Sequence, residues 1–138
     1  MLGLESFMVN EKSGKGNNLH DIPLLGLSTE KMFQPAMLVF ICQKPAHGYE
    51  LIQELNRHGF AEGEIEPATV YRNLRRMEES GFVTSRWDTG GPGAARRLYE
   101  ITVEGVEHLR AWGDLLRRRK EKLEEFLNLF EQVMSNIY

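Results

Sequence analysis

Six arginines fall between Pro67 and Thr102, and their neighbours limit what chemistry they can do. Arg72, Arg75 and Arg76 stand in PATVYRNLRRMEES, Arg86 in FVTSRWD, and Arg96 and Arg97 just after GGPG; Glu78, Glu79 and Asp88 oppose them. A local positive excess in a chain of formal net charge -3 is what a phosphate-neutralising surface requires, with the acids placed elsewhere. Arginine can fork onto guanine O6 and N7, and asparagine onto adenine N6 and N7. On a helix, Thr69, Arg72, Asn73 and Arg76 share one face, flanked by Ala68 and Arg75. Thr69 and the free N–H groups of the helix start suit a phosphate. Arg96 and Arg97, where a strand leaves the GGPG tip, suit a phosphate or the minor groove. The plainer alternative for the helix is a solvated, solubilising face; the basic hairpin that follows favours a nucleic-acid surface.

These residues need elements to position them. Val70, Leu74 and Met77, at spacings of 4 and 3, form the inward face of a helix that Pro67 opens and Gly81 closes. FVTSRWD and RLYEIT then alternate as strands, and the glycines around Pro92 make a hairpin turn between them. GGPG lacks both the GxGxxG spacing and a following Lys-Ser/Thr, so it is not a phosphate-cradling enzyme loop. Upstream, a helix is expected from Phe33 or Pro35 to Gln43, with Pro35 in its first turn. Its run MLVFIC is almost wholly apolar, so the helix is expected to be buried and Cys42 to be a small buried hydrophobe. KPAHG makes a turn, and YELIQELNRHG a second helix with Leu51, Ile52 and Leu55 on one face and Gly59 as its stop.

After Thr102, a fair N-cap, helical periodicity returns to the end of the chain. Leu109, Leu116, Leu123 and Phe130 occupy one heptad position and Trp112, Arg119, Phe126 and Val133 the other, with Arg119 the interruption. Such a stripe needs a partner helix, and at ~1.5 Å per residue the segment extends about 45–50 Å. The alternative is a break near Gly113 or RRRK and a helix folded back on its own chain. The expected organisation is a flexible arm over residues 1–30, a winged helix over 31–102, and a dimerisation segment over 103–138. The fold class is mainly α with a small β-hairpin: a winged helix-turn-helix plus a C-terminal dimerisation helix.

Composition bounds the rest. Apolar content of 41% and charged content of 27% are ordinary for a soluble globular chain. One cysteine excludes an intramolecular disulfide and fits a reducing compartment, and the chain has neither a signal pattern nor a membrane-length apolar run. A cytoplasmic protein without a membrane role is expected. The four histidines, His20, His47, His58 and His108, have no paired spacing on one helix, so no metal is expected. No nucleophile–base set assembles, and an enzyme is not expected.

The segments PAHGYELIQEL, ATVYRNLRRMEESGFV and GPGAARRLYEITVEG resemble the PadR family of bacterial winged-helix transcription regulators, from about Phe33 to Trp112. Within it, PAHGYEL, VYRNLRRME and the WDT–GG–ARR–YEIT pattern most resemble the polyhydroxybutyrate-responsive repressor branch. The resemblance implies a homodimer whose C-terminal helices hold two recognition helices over one palindromic operator of double-stranded DNA. It places Thr69, Tyr71, Arg72 and Arg75 or Arg76 in the recognition helix, and Arg96 and Arg97 in the wing. The family often has Gly where this chain has Ala68, and Pro where it has Arg72, so the base contacts are not carried over. It also implies a hydrophobic small-molecule or polymer effector between the dimer's helices, near Trp112; core packing in the dimer is the simpler role for that residue. No cofactor is implied. The readings in other classes are a winged helix for protein–protein assembly, against which the arginine face argues, and one that binds RNA or non-specific DNA; missing stacking aromatics on an exposed sheet argue against single-stranded RNA.

Overall fold

The computed structural model describes residues 29–59 and 63–137; all but the last two residues of the expected 1–30 arm lie outside them. Helix α1 spans Thr29–Gln43, strand β1 Ala46–His47, helix α2 Gly48–Arg57, helix α3 Pro67–Glu79, strand β2 Val83–Asp88, strand β3 Arg96–Ile101 and helix α4 Val103–Ile137. The fold is the expected one, mostly helical with a small antiparallel sheet. That sheet has three strands in the order β1-β3-β2, where the sequence pointed to a two-stranded hairpin. Ala46 pairs with Tyr99, while Val83 and Asp88 face Ile101 and Arg96.

Helix α1 is the centre of the core, packing against α2, α3, α4 and β3. Met37, Leu38, Leu51, Leu55, Val70 and Leu74 are fully buried. Each such side chain contributes about 1.5–3 kcal/mol relative to exposure. Two expectations for α1 fail. Pro35 lies inside the helix and not in its first turn, because burial of Phe33, Ala36 and Met37 around it favours helix despite the missing N–H. And α1 is not buried all round: Val39 and Cys42, one turn apart, are exposed. The apolar run reports the average hydrophobicity of α1, not which strip of it faces the core.

Helix α4 is rooted by a compact set of hydrogen bonds. The Thr102 hydroxyl donates to the Gly81 carbonyl at 2.6 Å and accepts from the Gly105 N–H at 3.0 Å. The His108 ring stacks on Phe82 with centroids 4.0 Å apart. From there α4 runs 35 residues, unbroken through Gly113 and RRRK, about 50 Å at ~1.5 Å per residue. Beyond Lys120 every described residue is exposed, including Leu123, Phe126, Phe130 and Val133. Among the described residues no helix is long and apolar enough to cross a membrane, and no cluster of His, Cys, Asp or Glu could hold a metal.

Candidate nucleic-acid interface

Helix α3 presents Tyr71, Arg72, Arg75 and Arg76 to solvent and buries Val70, Asn73, Leu74 and Met77. Its exposed face is therefore turned from the expected one. Ala68, Arg72 and Arg75 lie at its middle, Tyr71 and Arg76 at its margins, and Thr69 is half-buried. Asn73 is the correction. It is 3% exposed, its amide N–H donates to the Thr69 carbonyl at 2.8 Å, and its Oδ1 accepts from Gln34 of α1 at 3.2 Å. A buried amide satisfied in this way fixes α3 against α1 and has no free edge for an adenine.

Tyr71 is also held by its surroundings. Its ring lies so close to Gly48, the first residue of α2, that a Cβ there would overlap the phenol. HGYEL and VYRN therefore meet in space: the glycine of one motif is the floor under the tyrosine of the other.

The wing is held through both faces of its hairpin, the inner one on α3 and the outer one on the start of α2. On the inner face, Ser85 Oγ donates to Glu78 of α3 at 2.8 Å, and the Tyr99 ring, 6% exposed, closes the core. Burial raises the Tyr99 phenol above its ordinary pKa, helped by Glu78 and opposed by Arg97 and Arg75. On the outer face, His47 links the wing to the start of α2: Nδ1 lies 2.8 Å from Glu50 Oε1 and Nε2 3.0 Å from Asp88 Oδ2. Each wing arginine lies over an aromatic ring, Arg96 over Tyr49 and Arg97 over Trp87, both 4.8 Å from guanidinium carbon to ring centroid. Arg86 instead pairs with Glu100 across the hairpin at 2.9 Å. Trp87 and Tyr49 are exposed residues of this surface that sequence reasoning missed, and Trp87 corrects the expectation of a sheet without exposed aromatics; strand alternation already sets it opposite Arg97 once the tip is placed.

The Asp88 carboxyl is held below the ordinary aspartate range by the Gly90 N–H first and the His47 ring second. Glu50 is raised by burial, but the backbone N–H and ring of His47 outweigh this and bring it below its ordinary value. A depressed carboxylate stabilises the fold above its unfolded pKa and loses that contribution as pH falls through the folded one. The carboxylates' contribution to the link between wing and α2 is therefore expected to be lost as pH falls below about 4. Carboxyl carbon NMR should place the Asp88 midpoint below about 3.9, returning toward it in His47→Ala; an unchanged midpoint in that variant would show that the ring does not act on Asp88.

An open groove of about 490 Å³ lies between α1 and α4, lined by Cys42, Val106, Leu109, Arg110, Gly113, Asp114 and Arg117. Trp112 is not among these residues: it is half-buried, and its indole N–H donates to His108 Nε2 at 3.2 Å. Leu109 and Leu116 are likewise half-buried, at the root of the stripe that Leu123, Phe126, Phe130 and Val133 continue into solvent.

A winged helix with arginines on its third helix and wing, and a long apolar-striped helix behind, defines a class of nucleic-acid-binding regulators. Comparison with known proteins makes the family specific. Residues 37–111 match the Transcriptional regulator PadR-like family, and the chain belongs to it. Transcriptional regulator Rv3488 of Mycobacterium tuberculosis is 39% identical over 75 residues, covering 51% of this chain and 66% of that protein, just under two thirds of its length. Among solved structures, a PadR family transcriptional regulator of Eggerthella lenta is similar at 27% identity and a TM-score of 0.63, over 91% of this chain and 93% of the other. A PadR-like regulator of Bacillus cereus is similar at 26% and 0.63, over 71% and 93%. The family is one of transcription regulators, not enzymes.

Proposed function

We propose that this chain regulates transcription, as a repressor, by binding a palindromic operator as a homodimer. The unit over residues 31–102 reads DNA and residues 103–138 pair the two copies. Each α3 lies in the major groove of one half-site, with half-site centres about 10 bp apart. The observation that carries this reading is the exposure of Arg72, Arg75 and Arg76 on α3 and of Arg96 and Arg97 on the hairpin that packs against it, in a chain of net negative charge. A solubilising face would not need its cations gathered on two elements that pack against each other. The apolar stripe of α4 supplies the contact between copies.

Motif likeness to the polyhydroxybutyrate-responsive branch supports a hydrophobic small-molecule or polymer effector. Trp112 is the residue to meet it, where α4 leaves the domain. Acting between two α4 helices, such a ligand would change the separation of the recognition helices.

The test is binding of the purified protein to its own upstream DNA, titrated across salt with scrambled duplex as competitor. Tight, selective binding by a dimer supports the proposal; equal, weak binding to both duplexes counts against it and favours a protein partner. Arg72→Ala or Arg75→Ala is expected to cost about 1–3 kcal/mol of specific affinity and to relax selectivity at one base pair. Asn73→Ala, by contrast, should lower the melting temperature through its lost amide bonds and leave base preference unchanged. A selectivity change in Asn73→Ala would return that residue to the reading face.

A further inference from the structure

Trp87 has no explanation in the folding of the domain. Its face-mates along β2 are engaged, Val83 in the core and Ser85 with Glu78, whereas the indole is 62% exposed. Its contact is with Arg97, directly opposite in the antiparallel register and 4.8 Å from the ring centroid. The two wing arginines are therefore not equivalent. Arg96 points to the outer face, where Tyr49 of α2 and the His47–Asp88 pair lie. Arg97 shares the inner face with Ser85 and Tyr99, the face on which Ser85 meets Glu78 of α3.

We propose that Trp87 is a positioning residue for DNA binding: it holds the Arg97 guanidinium over its ring, on the face of the hairpin that packs against the recognition helix, for delivery into a narrow, A·T-rich minor groove flanking each half-site. The inference rests on the DNA-binding reading above and adds a sequence preference to it. A free arginine has many rotamers, and those lost on binding weaken the complex; an arginine already held over an aromatic ring has lost part of them beforehand. A guanidinium is weakly hydrated and planar, which suits a narrow groove where the negative potential is strongest. A·T tracts provide that groove, so the discrimination reads DNA shape and needs no base-edge hydrogen bond.

The experiment compares full-length protein with Trp87→Ala, Trp87→Leu, Trp87→Phe, Arg97→Ala and the Ala/Ala double variant. Each is measured by fluorescence anisotropy on its own upstream duplex and on one whose flanks are changed to G·C. Trp87→Ala should weaken binding about threefold to tenfold, the range a cation–π contact supports, and abolish the preference for A·T flanks. Trp87→Leu should behave like it; Trp87→Phe, which keeps a π face, should recover most of both. The double variant should be no weaker than Arg97→Ala alone, because the two residues act as one unit. Melting temperatures should match wild type, since the indole is outside the core. Wild-type affinity and flank preference in Trp87→Ala, or additive losses in the double variant, would overturn the inference alone. Wild-type protein that does not discriminate its own duplex from scrambled DNA would overturn the regulator reading too.

Discussion

Replacing Phe126 by glutamate is expected to turn a dimer into a folded monomer that no longer holds its operator. Helix α4 packs against α1. Through Leu116 its stripe is half-buried against the domain, and from Glu121 to Ile137 all of it is exposed, with Phe126 at 47%, Phe130 at 41% and Val133 at 45%. A helical stretch of this length is marginal in water on its own and is stabilised by packing an apolar face. Leu123, Phe126, Phe130 and Val133 repeat at spacings of three and four, the pattern of knobs that need holes on a facing helix. A carboxylate at Phe126 would have to be desolvated without a partner, twice over in a symmetric pair, and pairing would be lost. Sedimentation should then give half the wild-type mass, with the core of the winged helix intact. Binding to a two-half-site operator should fall by roughly 10²–10⁴, the gain that linking two reading heads provides. An unchanged mass would refute the coiled-coil reading, and the exposed stripe would then need another partner.

Why the sequence revealed α3 but misjudged its face follows from geometry. Val70, Leu74 and Met77 identify a helix and its inner side. Asn73 sits three residues beyond Val70 and four before Met77, so it falls at the edge of that side. Which way an edge residue turns is decided by the neighbour it meets, here Gln34, 39 residues away. No local pattern reports that pairing. Strand β1 was hidden for a related reason: two residues carry no period, and they are a strand only because β3 pairs with them. The exposure of Cys42 is a third case, since composition alone does not orient a helix. In contrast, the hairpin, the unbroken α4 and the Thr102 cap rest on turn chemistry and local periodicity, and these were legible. The Gly48–Tyr71 contact lies between the two kinds: both motifs stand out in the sequence, and only the fold shows why they occur together.

A pair of glycines in α4 gives the second large effect, because their substitutions are expected to act with opposite sign. Gly to Ala within a helix ordinarily stabilises by about 1 kcal/mol. Gly113 should follow that rule: an added Cβ would meet the Arg117 guanidinium at 3.5 Å, the mobile end of a long side chain. Gly105 should break it. A Cβ there would run into the Phe82 carbonyl and stand 2.7 Å from Ile101 Cγ1. The carbonyl cannot withdraw freely, since it accepts the Thr102 N–H at 3.0 Å while the Phe82 N–H bonds Met77 at 2.9 Å. Giving way would disturb the Thr102 cap and the Phe82–His108 stack together. Gly105→Ala is therefore expected to destabilise by about 1–3 kcal/mol despite its better helix propensity. For a unit of this size that lowers the melting temperature by roughly 5–20 °C. Because the same bonds root α4 beside the wing, the surviving folded protein should also lose part of the advantage that a palindromic duplex holds over a single half-site. Thermal melts of both variants decide it: if Gly105→Ala melts as high as Gly113→Ala, the tight root of α4 is not what fixes the helix to the domain.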